Sequence, residues 1–133
     1  MIKATLLSVF LFSLAVHSSQ AQNGLVKADT LLVGTWKGTS ICQIKNSPCH
    51  DETVVYHISK STGADNFNIN ASKIVNGVEE GMGILPFVYN EKTKQLTSTA
   101  HGIWTFNVEG DKLEGTLFVQ GNLYRKIMLR KQY

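Results

Sequence analysis

The residues that could do chemistry in this chain are concentrated in one stretch, GTWKGTSICQIKNSPCHDETVVYHIS, which runs from Gly34 to Ser59. It holds both cysteines and two of the four histidines, beside the acidic pair Asp51 and Glu52. Two interpretations compete: a metal or catalytic cluster, or a disulfide-closed hairpin with charged residues at its mouth. The compartment of the protein and the pairing of its strands decide between them.

The first residues have the composition of a secretory signal peptide. Lys3 precedes the apolar run ATLLSVFLFSLAV, which is too short to span a bilayer, and small residues follow at the expected cleavage site after Ala21. We predict a signal peptide at 1–21, a lead-in at 22–32 and one folded domain at 33–133. The protein is expected to be exported, to the periplasm or the extracellular space, with no transmembrane span.

The charge of the chain gives little support for a nucleic-acid partner. The formal net charge is +3, and removal of Lys3 with the signal peptide lowers it by one. The basic residues are scattered and do not cluster with aromatic residues, as they do on nucleic-acid-binding surfaces. No nucleic-acid partner and no cofactor are predicted.

Beyond the signal peptide, short β-prone runs alternate with turns, after a helical turn predicted at Ala28 to Leu32. Asn76-Gly77 suits a type I′ hairpin turn, and Gly110 suits a type II′ turn. In a meander of about eight short strands, the first and last strands are best protected when they pair with each other and close the sheet into a barrel. The predicted fold is therefore all-β, a single antiparallel up-and-down β-barrel of about eight strands. The predicted strands are Val33 to Gln43, Glu52 to Ser59, Asn66 to Val75, Val78 to Phe87, Gln95 to Ala100, Ile103 to Val108, Lys112 to Val119 and Leu123 to Lys131.

The last two hairpins indicate which residues point into the barrel. Turns at Gly110-Asp111 and at 120–122 align the flanking strands residue by residue. The predicted pairs are Trp104 with Leu117, Phe106 with Gly115, Val108 with Leu113, Val119 with Leu123, Leu117 with Arg125, Gly115 with Ile127 and Leu113 with Leu129. This face is almost wholly apolar, and small residues such as Gly38 and Gly115 favour a cavity. Solid packing of the aromatic side chains stays open as the alternative.

The two cysteines are predicted to form a disulfide, because an exported protein meets an oxidising compartment. If Cys42 and Cys49 are directly opposed, Ser40 faces Asp51 and Trp36 faces Val55. A stapled hairpin is then the preferred interpretation of the stretch.

A metal site in this hairpin is not predicted. In the expected register Asp51 and His57 share a face but stand too far apart for one ion. His50 and Glu52 share the other face, and two ligands make a weak site. His57 and His101 lack any accompanying catalytic motif, so no catalytic residue is predicted and the protein is expected not to be an enzyme.

The segment GTWKG, with Trp36 opening the first strand of an exported barrel and a basic residue closing the last, resembles the lipocalin and wider calycin pattern. The resemblance implies that Gly34 and Trp36 close one end under an arginine from near the final strand. Two arginines are candidates: Arg125 has the inward parity, whereas closure brings Arg130, with Lys131, towards Trp36. Small lipocalin-like proteins exported by bacteria are the most similar type.

The same resemblance implies a small apolar ligand inside the barrel, entering at the end opposite Trp36. The alternative is an exported protein-binding module, an inhibitor or envelope interaction factor with a solid barrel core. Its best candidate contact surface is the segment GMGILPFVY, from Gly81 to Tyr89. A bulged wall strand or a flap at the barrel mouth is the preferred interpretation of this segment. The candidate ligand-binding residues are Ser40 and Asp51 for a polar head group and Trp104, Phe106 and Leu117 for the apolar body.

Overall fold

The structure, a computed structural model, describes residues 28–133, so the predicted signal peptide and most of the lead-in lie outside the described residues. A helical turn at residues 28–32 comes first, as predicted, and eight strands follow. The strands are β1 Gly34–Cys42, β2 Glu52–Lys60, β3 Asn66–Val75, β4 Val78–Asn90, β5 Gln95–Ser98, β6 Ile103–Glu109, β7 Lys112–Val119 and β8 Asn122–Lys131.

The eight strands form one closed up-and-down barrel, in which each strand is antiparallel to the next and β1 also pairs with β8. This confirms the predicted fold, and the barrel is compatible with a lipocalin-like fold. Closure gives the first and last strands a partner on both sides, which removes the outer edges of the sheet. Within residues 28–133, no helix has the length and apolar character that a membrane crossing requires.

One end of the barrel is closed by Trp36, whose side chain is fully buried. Its indole Nε1 donates a hydrogen bond to the Leu32 carbonyl at 2.9 Å, which ties the helical turn across this end. Lys131 is its partner on β8, with Nζ 5.8 Å from the ring centroid. The same Nζ donates to the carbonyls of Thr30 and Leu31 at 2.8 and 3.0 Å. A lysine therefore links the last strand, the indole and the helical turn.

Neither candidate arginine lies over Trp36. Arg130 is on the outer surface, with its guanidinium 3.3 Å from the Asp111 carboxylate. Arg125 pairs with Cys42 at the opposite end of the barrel. Side chains alternate along β8, so Lys131 takes the place that the resemblance gave to an arginine.

The interior at the Trp36 end is filled by side chains. Four rings, Tyr56, Phe87, Trp104 and Phe106, form an aromatic cluster in the middle, with centroid separations between 5.9 and 6.4 Å. Contacts of this kind, together with burial of the apolar area, stabilise the fold. The large apolar side chains with essentially no solvent exposure are Leu32, Trp36, Val54, Phe67, Ile69, Leu96, Phe106, Leu113 and Leu129.

The predicted pairing of the last three strands is largely confirmed. β6 pairs with β7 as expected, with Phe106 opposite Gly115, and β7 pairs with β8 with Leu117 opposite Arg125. The predicted three-residue loop is wrong, since β8 begins at Asn122. A register shift between Leu117 and Phe118 absorbs the difference. Leu113, Gly115 and Leu117 keep their predicted partners, whereas the predicted pair of Val119 with Leu123 is wrong, because Leu123 pairs with Phe118.

β4 is the longest strand, and it is paired unequally on its two sides. β3 pairs with it from Val78 to Val88, whereas β5 pairs only with Val88, Tyr89 and Asn90. The first seven residues of β4 are all exposed. The hairpin of β3 and β4 therefore extends past the shorter β5–β6 hairpin at the end opposite Trp36.

Trp36→Ala should destabilise the protein by about 3 to 5 kcal/mol, because it removes a fully buried aromatic side chain from the closed end. Urea unfolding followed by circular dichroism measures the loss. Trp36→Phe keeps most of the apolar area and should cost clearly less. An alanine variant with the urea midpoint of the wild type would contradict the structural role of Trp36.

Candidate functional site

The two ends of the barrel differ in how far their inward side chains are shielded. Near Trp36 the inward apolar side chains are buried, whereas at the other end Glu52, Leu85, Trp104 and Arg125 remain partly exposed. We call this end the vestibule, defined by these four inward residues with Tyr56 at its base. It contains both apolar surface and charged groups, which is the composition of a small-ligand site.

The register of the first hairpin differs by one residue from the predicted one. Trp36 pairs with Tyr56, and Ser40 pairs with Glu52 and not with Asp51. The shift places the apolar residues Val54 and Tyr56 inside the barrel, and burial of one strand face is what fixes register. The carboxylate that faces the interior is consequently that of Glu52.

The predicted disulfide between Cys42 and Cys49 is confirmed, with the two Cα atoms 5.9 Å apart. Cys49 lies in the loop before β2, so the bond joins a strand end to a loop and does not define a strand pair. Asp51 is exposed, and its carboxylate accepts a hydrogen bond from the Cys42 backbone N–H at 2.9 Å. Both contacts hold the β1–β2 loop at the rim of the vestibule.

Arg125 is the centre of the polar side of the vestibule. Its Nη1 donates to the Ser40 carbonyl at 3.2 Å, the Ser40 hydroxyl at 3.3 Å and the His50 carbonyl at 2.9 Å. Its Nη2 lies 3.7 Å from a Glu52 carboxylate oxygen, and the two side chains are only 12% and 22% exposed. A shielded cation needs such partners, because its desolvation is otherwise costly.

The charged groups at this end come in pairs of opposite sign. Besides Arg125 and Glu52, the Lys73 ammonium lies 3.9 Å from the Glu80 carboxylate. Lys73 pairs with the inward residue Val54, which places it on the same side of the sheet. These four groups add no net charge to the vestibule, so its field favours neither an anion nor a cation.

The Tyr56 phenol lies at the base of the vestibule and is almost fully buried. Burial raises the pKa of Tyr56 well above its ordinary value, the Glu52 carboxylate raises it further, and Arg125 opposes the rise. The phenol therefore stays protonated across the physiological pH range. It offers a neutral hydroxyl beside the Arg125–Glu52 pair.

The apolar side of the vestibule is formed by Trp104 and Leu85. The Trp104 indole Nε1 donates to the Ala100 carbonyl at 2.8 Å, so its polar edge is satisfied by the β5–β6 turn. Its ring stacks on Phe106 at 6.4 Å between centroids, with 22° between the planes. The indole is thus held in one orientation while part of it stays accessible.

The structure brings together some of the predicted ligand-binding residues. Ser40 and Trp104 lie at the vestibule, on opposite sides of the barrel. Phe106 is fully buried beneath them, Leu117 is almost buried, and Asp51 lies on the exposed loop. The sequence interpretation missed Tyr56, Leu85 and the inward position of Glu52. The inward positions of Glu52 and Tyr56 could have been recognised from β2, in which every second residue, Glu52, Val54, Tyr56 and Ile58, faces the interior.

The inward glycines do not leave the empty space that the sequence suggested. A Cβ on Gly115 would lie 2.3 Å from Cδ1 of Phe106, so that ring already fills the position. A Cβ on Gly38 would lie 1.8 Å from the Met128 carbonyl oxygen, because β1 and β8 approach closely there. The glycines allow close packing in the middle of the barrel and do not create a cavity there.

The residues that were considered for metal binding are separated. His57 is on the outer surface, where its ring nitrogens lie 2.8 Å from Glu79 Oε1 and 3.1 Å from Thr35 Oγ1. In the part of the chain that the structure describes, no three His, Cys, Asp or Glu side chains group as a metal site. Neither protein-family models nor curated proteins give a match to this chain.

Gly115→Ala should destabilise the protein by about 1 to 3 kcal/mol, because the added methyl group collides with the Phe106 ring and the Thr105 carbonyl. Gly81→Ala is the matched control, since nothing lies within 4 Å of a Cβ at that position. Thermal unfolding compares the two. Equal melting temperatures would contradict the packed interior.

The buried Tyr56 phenol should make stability fall in alkaline solution. Its folded pKa is raised, so its contribution is complete below the unfolded pKa of about 10 and declines as pH rises above that value. Urea midpoints measured from about pH 9 to about pH 11 should fall more steeply for the wild type than for Tyr56→Phe. Tyr133→Phe alters a fully exposed phenol and should retain the wild-type slope.

Proposed function

We propose that this protein is an exported lipocalin-like carrier that binds a small apolar ligand in the vestibule. The observation that carries the proposal is the contrast between the two ends: the Trp36 end is closed and packed, while the other end presents partly exposed Trp104 and Leu85 beside satisfied polar groups. The disulfide supports export, because such bonds persist in oxidising compartments. The proposed role is binding, with no catalytic step.

The ligand is held in the half of the barrel that contains the vestibule. The aromatic cluster below the vestibule leaves no room for a chain that runs the full length of the interior. Each buried methylene contributes about 0.8 kcal/mol, and micromolar affinity requires about 8 kcal/mol. About ten buried methylenes supply this amount, and the cost of association has to be met in addition.

The polar head group of the ligand is expected to be uncharged. The ion pairs of Arg125 with Glu52 and of Lys73 with Glu80 leave no net charge for a carboxylate or an amine to neutralise. A hydroxyl, carbonyl or amide can still exchange hydrogen bonds with the Arg125 guanidinium or with the Tyr56 phenol. In this proposal Arg125 and Tyr56, and not Asp51, orient the head group of the ligand.

Binding of N-phenyl-1-naphthylamine, an uncharged apolar fluorophore, tests the proposal. Leu85→Glu places a charge on the apolar side of the vestibule and should weaken binding by about tenfold or more, because the carboxylate must be desolvated. Ile84→Glu is the matched control: it lies next along β4, is 65% exposed and should bind like the wild type. Fluorescence titration gives both dissociation constants, and melting curves check folding.

Two results would contradict the carrier function. One is the absence of saturable binding by the wild type. The other is an equal effect of Leu85→Glu and Ile84→Glu, which would place the fluorophore on the outer surface of β4 and not inside the vestibule.

A second candidate function, protein binding, is favoured by one observation. The first seven residues of β4 are exposed, and they include Val78, Met82 and Ile84. Exposed apolar residues that lie close together on one strand are typical of interaction surfaces. The same two variants separate the functions, since Ile84→Glu should impair a protein contact through this face while Leu85→Glu should leave it intact.

A further inference from the structure

A cleft runs along the seam between β4 and β5, outside the vestibule. It has a volume of about 540 Å³, and every residue that lines it is uncharged. Its most deeply buried lining residues are Phe67, Phe87 and Ser98, which belong to the interior of the barrel. Pro86 and Thr97 lie at its outer rim. The cleft therefore reaches from the outer surface to the core.

The cleft exists because the ladder between β4 and β5 stops at Val88. The Tyr89 N–H donates to the Asp65 carbonyl at 2.8 Å, on the β3 side of β4. Successive N–H groups of a strand point to opposite sides, so Val88 and position 86 face β5. Position 86 is a proline, which has no N–H to donate, and the pair with Thr99 that would come next does not form.

Phe87, one of the four rings of the aromatic cluster, separates this cleft from the other three rings. Phe87 lines the cleft, and its centroid lies 6.1 Å from that of Trp104 and 5.9 Å from that of Phe106. Rotation of an aromatic side chain needs no change in the strand backbone when there is free space beside it. Here the cleft provides that space.

We propose that the seam is a side entrance to the barrel for small uncharged molecules, with Phe87 as the ring that moves aside. The proposal rests on the proposed function in one respect, that the molecule admitted is the ligand of the vestibule. The uncharged lining sets the chemical class, because a charged molecule would lose its hydration with no partner in the cleft. Pro86 keeps the entrance open by preventing the next pair of backbone hydrogen bonds.

A single introduced thiol tests the opening of the seam without any ligand. The two native cysteines are joined to each other, so Ser98→Cys supplies the one reactive thiol of the protein. Its alkylation by N-ethylmaleimide, which is uncharged, is followed by intact-mass analysis. Adding Pro86→Val introduces a backbone N–H opposite Thr99, so that positions 86 and 99 can exchange backbone hydrogen bonds. Alkylation should then slow by about tenfold, as expected for a gained hydrogen-bond pair.

Two further variants control this measurement. Pro48→Val changes the other proline, in the β1–β2 loop, and should leave the rate unchanged. Phe87→Leu shortens the ring that closes the inner wall and should raise the rate. A rate that is insensitive to both Pro86→Val and Phe87→Leu would overturn the side entrance.

Stopped-flow binding of N-phenyl-1-naphthylamine distinguishes this proposal from the proposed function. If both are correct, Pro86→Val slows association and dissociation alike by about tenfold and leaves the dissociation constant unchanged. Binding with unaltered rates would overturn the side entrance and leave the carrier function standing. Slowed alkylation in a protein that does not bind the fluorophore would support the entrance and contradict the carrier function.

Discussion

The pairing of β1 with β8 is the contact on which the rest of the molecule depends, because it turns a meander into a barrel with an inside. The two backbones approach so closely at Gly38 that only glycine fits against the Met128 carbonyl. The same register sets Lys131 opposite Trp36 and Arg125 opposite Cys42. One strand pair thereby determines both the closed end and the polar vestibule.

The polar side of the vestibule shows how a barrel can hold a cation near its core. Arg125 is shielded, and three neutral acceptors together with a carboxylate offset the loss of its hydration. These contacts join β8, β1 and the β1–β2 loop and hold the guanidinium in one place. In the proposed carrier, discrimination between ligands comes from shape and hydrogen bonding, since the neighbouring charges cancel.

Turn chemistry was sufficient to predict strand pairing from the sequence, whereas the disulfide was not. The tight turn at Gly110 gave the correct partners for β6 and β7. A disulfide requires only a Cα separation of a few ångströms, which the loop residue Cys49 satisfies without being paired. Since side chains alternate with a period of two, an error of one residue exchanged Asp51 for Glu52 at the interior. The adjacent Val54 and Val55 left both registers plausible.

Pro86 and Gly115 explain why the location of open space could not be predicted from residue size. Gly115 is small, yet the Phe106 ring occupies the volume it leaves, whereas Pro86 opens a cleft by lacking a single hydrogen atom on nitrogen. Both effects depend on a partner from another strand. A barrel of eight strands is just wide enough for its own side chains to fill, so the Trp36 half supplies stability. Under the proposed carrier function, binding is consequently confined to places where strand pairing or strand length is interrupted, namely the vestibule and the seam.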